Sequence, residues 1–175
     1  MKQRRTANPD WRRRGQSLIE FALVYGLVLL PLSFMLVFGC QMLWMWHSVG
    51  EWTRAGAKYA ATHCYVADAA NVKQWMRENV PPMVDQDRFI QGEVDLQVEY
   101  FRSELGSGLP VPFQCDGAEC SRDCVPDQVR VSVAGYQFRR MLDVLGLPPV
   151  VLPDFRATTA MEGAGCSAGE LTCRP

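Results

Sequence analysis

Several features typical of enzymes are missing from this sequence of 175 residues. It has only two histidines, His47 and His63, and no nucleophile elbow, P-loop, H-E-x-x-H motif or dinucleotide fingerprint. Its cysteines form no C-x-x-C pair, which argues against a thiol-disulfide oxidoreductase. We therefore expect no catalytic residues, no cofactor and a function other than catalysis.

Charge is absent from one long segment. The 30 residues from Phe21 to Gly50 include no Asp, Glu, Lys or Arg, and a helix needs about 20 apolar residues to cross a bilayer. No second apolar segment of similar strength is present to bury this run in a soluble core. Pro31 lies in its middle, and membrane helices tolerate proline when neighbouring groups satisfy the freed carbonyl. The sequence predicts a single-pass membrane helix in contact with lipid.

The charged residues are distributed unevenly. Six basic residues and Asp10 precede Gly15, a net charge of +5, whereas the remainder has 12 basic and 18 acidic residues, a net charge of −6. A basic flank before the span predicts a cytoplasmic N-terminus and an exported segment after about Gly50. Aromatic residues do not interleave with the arginines, so no nucleic-acid partner is expected. The apolar run is about twice the length of a signal-peptide core, which favours a retained anchor.

Six of the seven cysteines follow the predicted span, and Cys40 lies inside it. An even number in a small exported domain predicts a disulfide framework, although many connectivities are open. We favour a local Cys166–Cys173 loop, with Cys64 bridged to the cluster "CDGAECSRDC" and the other two cluster cysteines closing a small ring. The candidate disulfide residues are Cys64, Cys115, Cys120, Cys124, Cys166 and Cys173.

A metal site in the same cluster is the alternative. Its C-x4-C-x3-C spacing lacks the C-x2-C knuckles of zinc ribbons, and no histidine is near. Its acids also lack the spacing of an EF-hand. Outside the cluster, Glu93, Asp95 and Glu99 match the solvated face of a strand. We expect no metal.

The pattern of apolar residues predicts an α+β fold. A long N-terminal transmembrane α-helix extends into a small exported domain with a short antiparallel sheet and disulfide-stapled loops. Asp68 is the predicted N-cap of a second helix, which Pro81 and Pro82 terminate. The predicted elements are a helix over 16–62, a helix over 69–80, strands over 92–101, 127–138 and 150–163, a loop over 104–127 and a short helix over 138–149.

One carboxylate, Glu20, lies at the start of the apolar run. Acidic residues inside a span are rare and usually have a function and a partner. If the chain is cut after Gly15, the new amine at Gln16 lies about one turn from Glu20. That amine, from the same or a neighbouring subunit, would neutralise the carboxylate. A glutamate that only extends toward the headgroups is the alternative.

The stretch "RRRGQSLIEF" resembles the class III signal of type IV pilins, in which a prepilin peptidase cuts after the glycine. "RRRGQSLIEFALVYGLVLLPL" and the later "EWTRAGAKYAA" resemble the TadE-like minor pilins, or pseudopilins, of the Tad (Flp, tight-adherence) pilus. "VRVSVAGYQF" and "MLDVLGLPPVVLPDFRATTAMEG" resemble the C-terminal part of that family. The resemblance covers most of the chain.

The resemblance implies processing between Gly15 and Gln16, and roles in assembly for Glu20 and Phe21. It implies a leader over 1–15, an assembly helix over 16–62 and an exported head over 63–175. The implied partners are the prepilin peptidase, other Tad pilins, a second TadE/TadF-like minor pilin and the inner-membrane assembly platform. The protein would lie in the bacterial inner membrane with a periplasmic head, and after assembly in the fibre or at its tip.

Two features depart from the family pattern: the six exported cysteines and the 104–127 loop, which looks like an insertion. Two other functions therefore remain open. One is an unprocessed single-pass envelope protein whose head binds a ligand. The other is a pseudopilin of a related secretion system.

Overall fold

A computed structural model of the chain describes residues 10–82, 84–104, 108–139, 142–143, 146, 148–161, 163–166 and 173. Its internal contacts divide it into two units, residues up to Leu43 and residues from Trp44 onward. The fold class is α+β, with a long apolar helix near the N-terminus, a small antiparallel sheet and three disulfide bonds. This part of the prediction is confirmed.

The first unit is helical. Helix α1 covers Asp10–Val24, a π-helical turn covers Tyr25–Leu29, and helix α2 covers Leu30–Thr62, so that it enters the second unit. From Leu18 to Val37 the large apolar side chains are exposed to between 42% and 75%. The segment Gln16–Thr62 has the length and composition of a membrane helix. It is compatible with a single-pass membrane protein or an exported protein.

The π-helical turn explains how the helix passes Pro31. The amide of Leu30 donates to the carbonyl of Tyr25, five residues earlier, where an α-helix would use the residue four earlier. Such turns often relieve an interruption in the hydrogen-bond ladder, and a proline ring would clash with the carbonyl four residues before it. Ser33 then donates its hydroxyl to the Leu29 carbonyl at 2.7 Å. The chain stays helical through Pro31, as expected for this run.

The second unit begins inside α2. The reason is that α2 buries one face from Met45 onward. Its buried residues recur at three- and four-residue intervals, the spacing of one helix face: Met45, Val49, Trp52, Thr53, Gly56, Ala57, Ala60 and Ala61. Four of the eight are glycine or alanine, which leaves room for close contact with helix α3 (Ala70–Glu78).

Helix α3 covers Ala70–Glu78, and the prediction of Asp68 as its N-cap is wrong. The cap residue is Ala69, whose φ of 50° is left-handed and whose side chain makes no capping bond. Its amide donates to the Val66 carbonyl at 2.9 Å, and this turn brings the chain into the helix one residue after Asp68. The helix also ends earlier than predicted, and Asn79 donates its side-chain amide to the Trp75 carbonyl at 2.9 Å.

The sheet has four antiparallel strands in the order β2-β1-β3-β6, one more than predicted. Alternation holds in β1, where Leu96 and Tyr100 are buried while Gln97 and Glu99 are exposed. In β3 the side chains of Val129, Val131 and Val133 are fully buried. The other elements of the second unit are α4 (Gln86–Ile90), β1 (Asp95–Ser103), β2 (Pro110–Pro112), β3 (Gln128–Ala134), β4 (Gln137–Phe138), β5 (Val150–Val151) and β6 (Phe155–Ala160).

Three sequence predictions in this region need correction. Strand β2 lies inside the segment 104–127 predicted to be an irregular loop, and its two prolines are tolerated because it is an edge strand. The predicted strand 127–138 is two strands, since Gly135 turns the chain with a φ of 76°. The predicted strand 150–163 is also two, β5 and β6, and β5 pairs with β4 in a separate sheet. Five of the twelve residues of the predicted helix 138–149 lie outside the described residues; of the others, Phe138 belongs to a strand, and Leu142 and Asp143 are helical.

Gly56 of α2 faces Met76 of α3 at close range. A Cβ atom at Gly56 would lie 2.6 Å from Sδ of Met76, which is fully buried and cannot swing into solvent. A Cβ at Gly50 would meet only Cδ1 of Phe155, at 3.9 Å. Close packing at Gly56 is therefore a requirement of this helix pair.

We expect Gly56→Ala to lower the free energy of unfolding of the full chain by about 1 kcal/mol, because an overpacking cost of about 1–3 kcal/mol exceeds the helix-propensity gain. The matched control, Gly50→Ala, should raise it by up to about 1 kcal/mol. Denaturant unfolding in detergent micelles measures both. Equal stability of the two variants would contradict this description of the helix contact.

Candidate functional site

The first region of interest is the segment Gly15 to Phe21, which lies within α1. The side-chain amide of Gln16 donates to Oε1 of Glu20 at 3.3 Å, one helical turn away. An amide is a neutral donor, so this bond leaves the charge of the carboxylate in place. Phe21 stacks on Tyr25 with ring centroids 6.3 Å apart. The structure thus brings Gln16 next to Glu20, as the helical spacing predicted.

Glu20 is the acid at the head of an apolar surface. Its neighbours Leu18, Ile19 and Phe21 are 71%, 64% and 66% exposed, and no charged residue follows before Glu51. Among the side chains that the structure describes, the amide of Gln16 is the hydrogen-bond partner of Glu20. A carboxylate in this position can accept a cation from outside its own helix.

The three disulfides have the form favoured from the sequence. Cys166 pairs with Cys173, Cys64 pairs with Cys120 of the cluster, and Cys115 closes a small ring with Cys124. Cys40 is free and exposed.

The disulfides meet around Cys120. Its amide donates to the carbonyl of Tyr65 at 3.1 Å, and its carbonyl accepts the amide of Cys173 at 3.0 Å. Nearby, Glu119 accepts the amide of Ala67 at 3.0 Å. The cluster loop is therefore tied both to the segment after α2 and to the C-terminal disulfide loop.

A second region, the β1-edge groove, lies beside this cluster. It is a cavity of about 490 Å³. The residues that define it here are Tyr65, Val98, Tyr100, Phe113, Gln114 and Asp116. Tyr65 makes edge-to-face contacts with Tyr100 and Phe113, at centroid distances of 4.9 and 5.1 Å. The ring contacts shape the inner wall of the groove.

The hydroxyl of Tyr100 is buried and has no hydrogen-bond partner among the described residues. Burial, and then the nearby Tyr65, raise the pKa of Tyr100, so its phenol stays protonated and remains a donor at neutral pH. The pKa of Tyr65 is also raised, by burial and then by the carboxylates of Glu119 and Asp68. The groove therefore holds one unused donor in a region of negative potential.

Two arginines near the groove are already engaged. Arg102 lies over the ring of Phe113 and Arg130 over the ring of Phe101, each at 4.7 Å from the centroid. Arg130 also pairs with Glu99, with Nη1 and Oε2 3.7 Å apart. Glu99 thus lies on the solvated strand face, as predicted. Glu93 precedes β1 and lies 3.7 Å from Nε of Arg88.

A further cavity, of about 440 Å³, adjoins Arg88. The Arg88 side chain is only 13% exposed, pairs with Asp85 at 3.5 Å and donates Nη1 to the Gln137 carbonyl at 2.9 Å. These bonds join α4 to β4 and give the arginine a structural role. Sequence reasoning missed both this residue and the groove at Tyr100, because neither lies in a recognisable motif.

His63 is engaged with a residue of α2, the helix that it follows. His63 stacks on Tyr59 at a centroid distance of 3.7 Å, and Nδ1 lies 2.8 Å from the Tyr59 carbonyl oxygen. Within the part of the chain that the structure describes, no three His, Cys, Asp or Glu side chains are placed to hold a metal ion.

Comparisons with known proteins returned nothing: no protein-family model, no curated protein and no solved structure matches the chain. Function is therefore inferred from the residues and their geometry.

The disulfides should contribute unequally to stability. In the chain-entropy model a crosslink over 56 residues, as in Cys64–Cys120, contributes about 4 kcal/mol, and one over 7 residues, as in Cys166–Cys173, about 2.5 kcal/mol. We expect the double serine variant of the first pair to lose more unfolding free energy than that of the second. Denaturant unfolding of the full chain measures both, and the reverse order would contradict the model.

Removing the hydroxyl of Tyr100 should not destabilise the protein. A buried donor without a partner costs about 1–3 kcal/mol, so Tyr100→Phe should leave the free energy of unfolding at pH 7 unchanged or raise it by about 1 kcal/mol. The control Tyr136→Phe removes a hydroxyl that donates to Sδ of Met45 and should be destabilising. A loss above about 1 kcal/mol in Tyr100→Phe would indicate an intramolecular bond to this hydroxyl.

The raised pKa of Tyr100 adds a pH dependence. Above about pH 10 tyrosine ionises in the unfolded chain, whereas Tyr100 stays protonated in the folded protein. The unfolded state then binds fewer protons, so this group lowers stability as pH rises. Between about pH 9 and 11, Tyr100→Phe should lose less stability than the wild type. Parallel stability curves for the two proteins would contradict this assignment.

Proposed function

We propose that this protein is a TadE-like minor pilin, or pseudopilin, of a Tad/Flp-type pilus, processed after Gly15 and active in pilus assembly, priming or tip formation. One observation carries the proposal. Glu20 heads a helix with an outward-facing apolar surface, five residues after Gly15, and its described partner is the neutral amide of Gln16. A prepilin peptidase would cut between Gly15 and Gln16.

Cleavage would supply the cation that Glu20 lacks on its own apolar helix. Gln16 lies one turn from Glu20, and a free amine at residue 16 would lie close enough to pair with the carboxylate. In a fibre the amine of one subunit can pair with Glu20 of its neighbour. Such a pair would neutralise both charges in an apolar environment and fix the register between subunits.

The helix would serve as the membrane anchor before assembly and as the packing element afterwards. Its exposed apolar side chains, from Leu18 to Val37, fit a lipid environment or the helical core of a fibre. The basic flank before Gly15 would hold the N-terminus in the cytoplasm and leave the head in the periplasm. Expected partners are other Tad pilins, a second TadE/TadF-like minor pilin and the assembly platform.

The disulfides support an exported head. Three disulfides connect the six cysteines that follow the apolar run, and such bonds persist in oxidising compartments such as the periplasm. The protein would act through helix packing, charge pairing at Glu20 and presentation of this head, without catalysis.

The second candidate is an unprocessed single-pass envelope protein with a ligand-binding exported domain. The β1-edge groove, with the unused hydroxyl of Tyr100, is the observation that favours it. It differs from the first candidate in requiring neither cleavage after Gly15 nor the charge of Glu20.

We expect Glu20→Ala to leave cleavage largely intact and to reduce the amount of protein in sheared fibres by about tenfold or more, since one lost charge pair of about 1.4 kcal/mol corresponds to that factor. Immunoblots of membranes report precursor size, and immunoblots of the sheared fraction report assembly.

Glu20→Gln tests whether the charge is needed, and Glu51→Ala is the matched control on α2. Glu51 is exposed and pairs with Arg54, so its loss should leave assembly unchanged. Normal assembly of Glu20→Ala would remove the proposed role of the carboxylate. If Gly15→Ala also changed neither the size of the protein on immunoblots nor its function, the unprocessed envelope protein would be favoured.

A further inference from the structure

Strand β1 has an edge that is only partly paired. It is nine residues long, and β2 pairs only with its last three residues, Phe101–Ser103. On its other side β1 pairs with β3 from Asp95 to Phe101. The first half of β1 is therefore an open edge on the β2 side.

The direction of the main-chain groups follows from one bond. The carbonyl oxygen of Tyr100 accepts a hydrogen bond from the backbone amide of Phe113 at 2.8 Å, so this carbonyl points to the β2 side. In an antiparallel ladder alternate residues point to the same side, so the amides and carbonyls of Leu96 and Val98 also face that edge. The described residues supply no hydrogen bond to these groups of Leu96 and Val98.

The edge of β1 stays open because the chain after β2 turns away from β1 into the Cys115–Cys124 disulfide ring. A longer β2 would continue past Phe113 along β1, opposite Val98 and Leu96. Instead Gln114 leads into Cys115, which is bonded to Cys124. The β1-edge groove takes up the part of this space that lies next to β2: its lining includes Val98, Tyr100 and Asp116 and does not extend to Leu96.

The charge around the groove is negative. Asp116 lines it, and Glu119 and Asp68 lie near enough to Tyr65 to help raise its pKa, whereas Glu99, also in the lining, is paired with Arg130. Arg102, over the ring of Phe113, is the remaining cation among these residues, so three carboxylates face one arginine. Charge complementarity therefore favours a basic occupant.

We propose that the β1-edge groove binds an extended, basic segment of a partner protein, which adds to β1 as a strand. Main-chain hydrogen bonds to Leu96 and Val98 would supply affinity, as in other cases of strand addition. Side chains alternate along the added strand, so basic residues at every second position would lie on the solvated face of the sheet, while the residues between them would lie on the side of Val98 and Tyr100. This inference goes beyond the proposed function and does not depend on cleavage after Gly15.

A direct test uses the full chain in lipid nanodiscs and a fluorescein-labelled octapeptide that alternates lysine and threonine. Fluorescence anisotropy should show saturable binding. A peptide with glutamate in place of lysine should bind at least about tenfold more weakly. A peptide N-methylated at alternate residues, which lacks the bonding amides, should also bind at least about tenfold more weakly.

Two proline variants distinguish a specific effect at the β1 edge from a general effect of proline on the sheet. Val98→Pro removes an amide that faces the open edge, and we expect it to weaken binding of the lysine–threonine peptide by about tenfold. Ala160→Pro removes an outward-facing amide on β6, the strand at the opposite edge of the sheet, and should leave the affinity within about twofold. Thermal unfolding verifies that both variants are folded.

Absence of binding by the lysine–threonine peptide would overturn the proposal. So would equal binding of the lysine and glutamate peptides, or an unchanged affinity in Val98→Pro.

The identity of the occupant is tested in cells by a photo-crosslinking amino acid at Gln114, which is exposed and lines the groove. Mass spectrometry should find a basic extended segment of another protein. A crosslink only to a second copy of this chain, or to an acidic segment, would overturn the proposed partner.

Discussion

The rest of this structure depends on one constraint: the N-terminal helix exposes an apolar surface whose contact with water is unfavourable. Side chains such as Leu27 and Met35 are exposed to 71% and 75%, and they belong to a helical segment, Gln16–Thr62, long enough to cross a bilayer. Soluble monomers rarely expose apolar patches of this extent. Such a surface is compatible with contact to lipid or to other helices, where a charged group would need a partner.

Glu20 is the residue for which this requirement is most acute. The side-chain amide of Gln16 donates one hydrogen bond to the Glu20 carboxylate but, being neutral, does not balance its negative charge. In the proposed function, cleavage after Gly15 both removes the basic flank and creates a cation where one is needed. A single proteolytic step would thereby convert a membrane-anchored precursor into a subunit that can pack in an apolar fibre.

Much of the second unit could be predicted from the sequence. The alternation in β1 and β3 was visible because one face of each strand is buried, and the local Cys166–Cys173 loop followed from the short spacing. Strand β2 could not be predicted, because its two prolines are acceptable only on an edge that the sequence does not reveal. The N-cap of α3 is Ala69 because a turn from Val66 brings the chain into the helix there. The sequence favoured Asp68 instead, since aspartate is a common capping residue and alanine is not.

The groove could not be predicted either, since it arises from separate segments. Tyr65 follows α2, Tyr100 lies on β1 and Phe113 follows β2, and the Cys115–Cys124 ring keeps the chain from filling the space between them. The same cysteines that appeared only structural in the sequence thus shape the surface most suited to a partner.

The central claim is that Glu20 obtains its partner through processing. Intact-mass spectrometry of the protein from cells with an active prepilin peptidase tests it most directly. The account predicts a mature chain that begins at Gln16. A chain that retains residues 1–15 in such cells would contradict it.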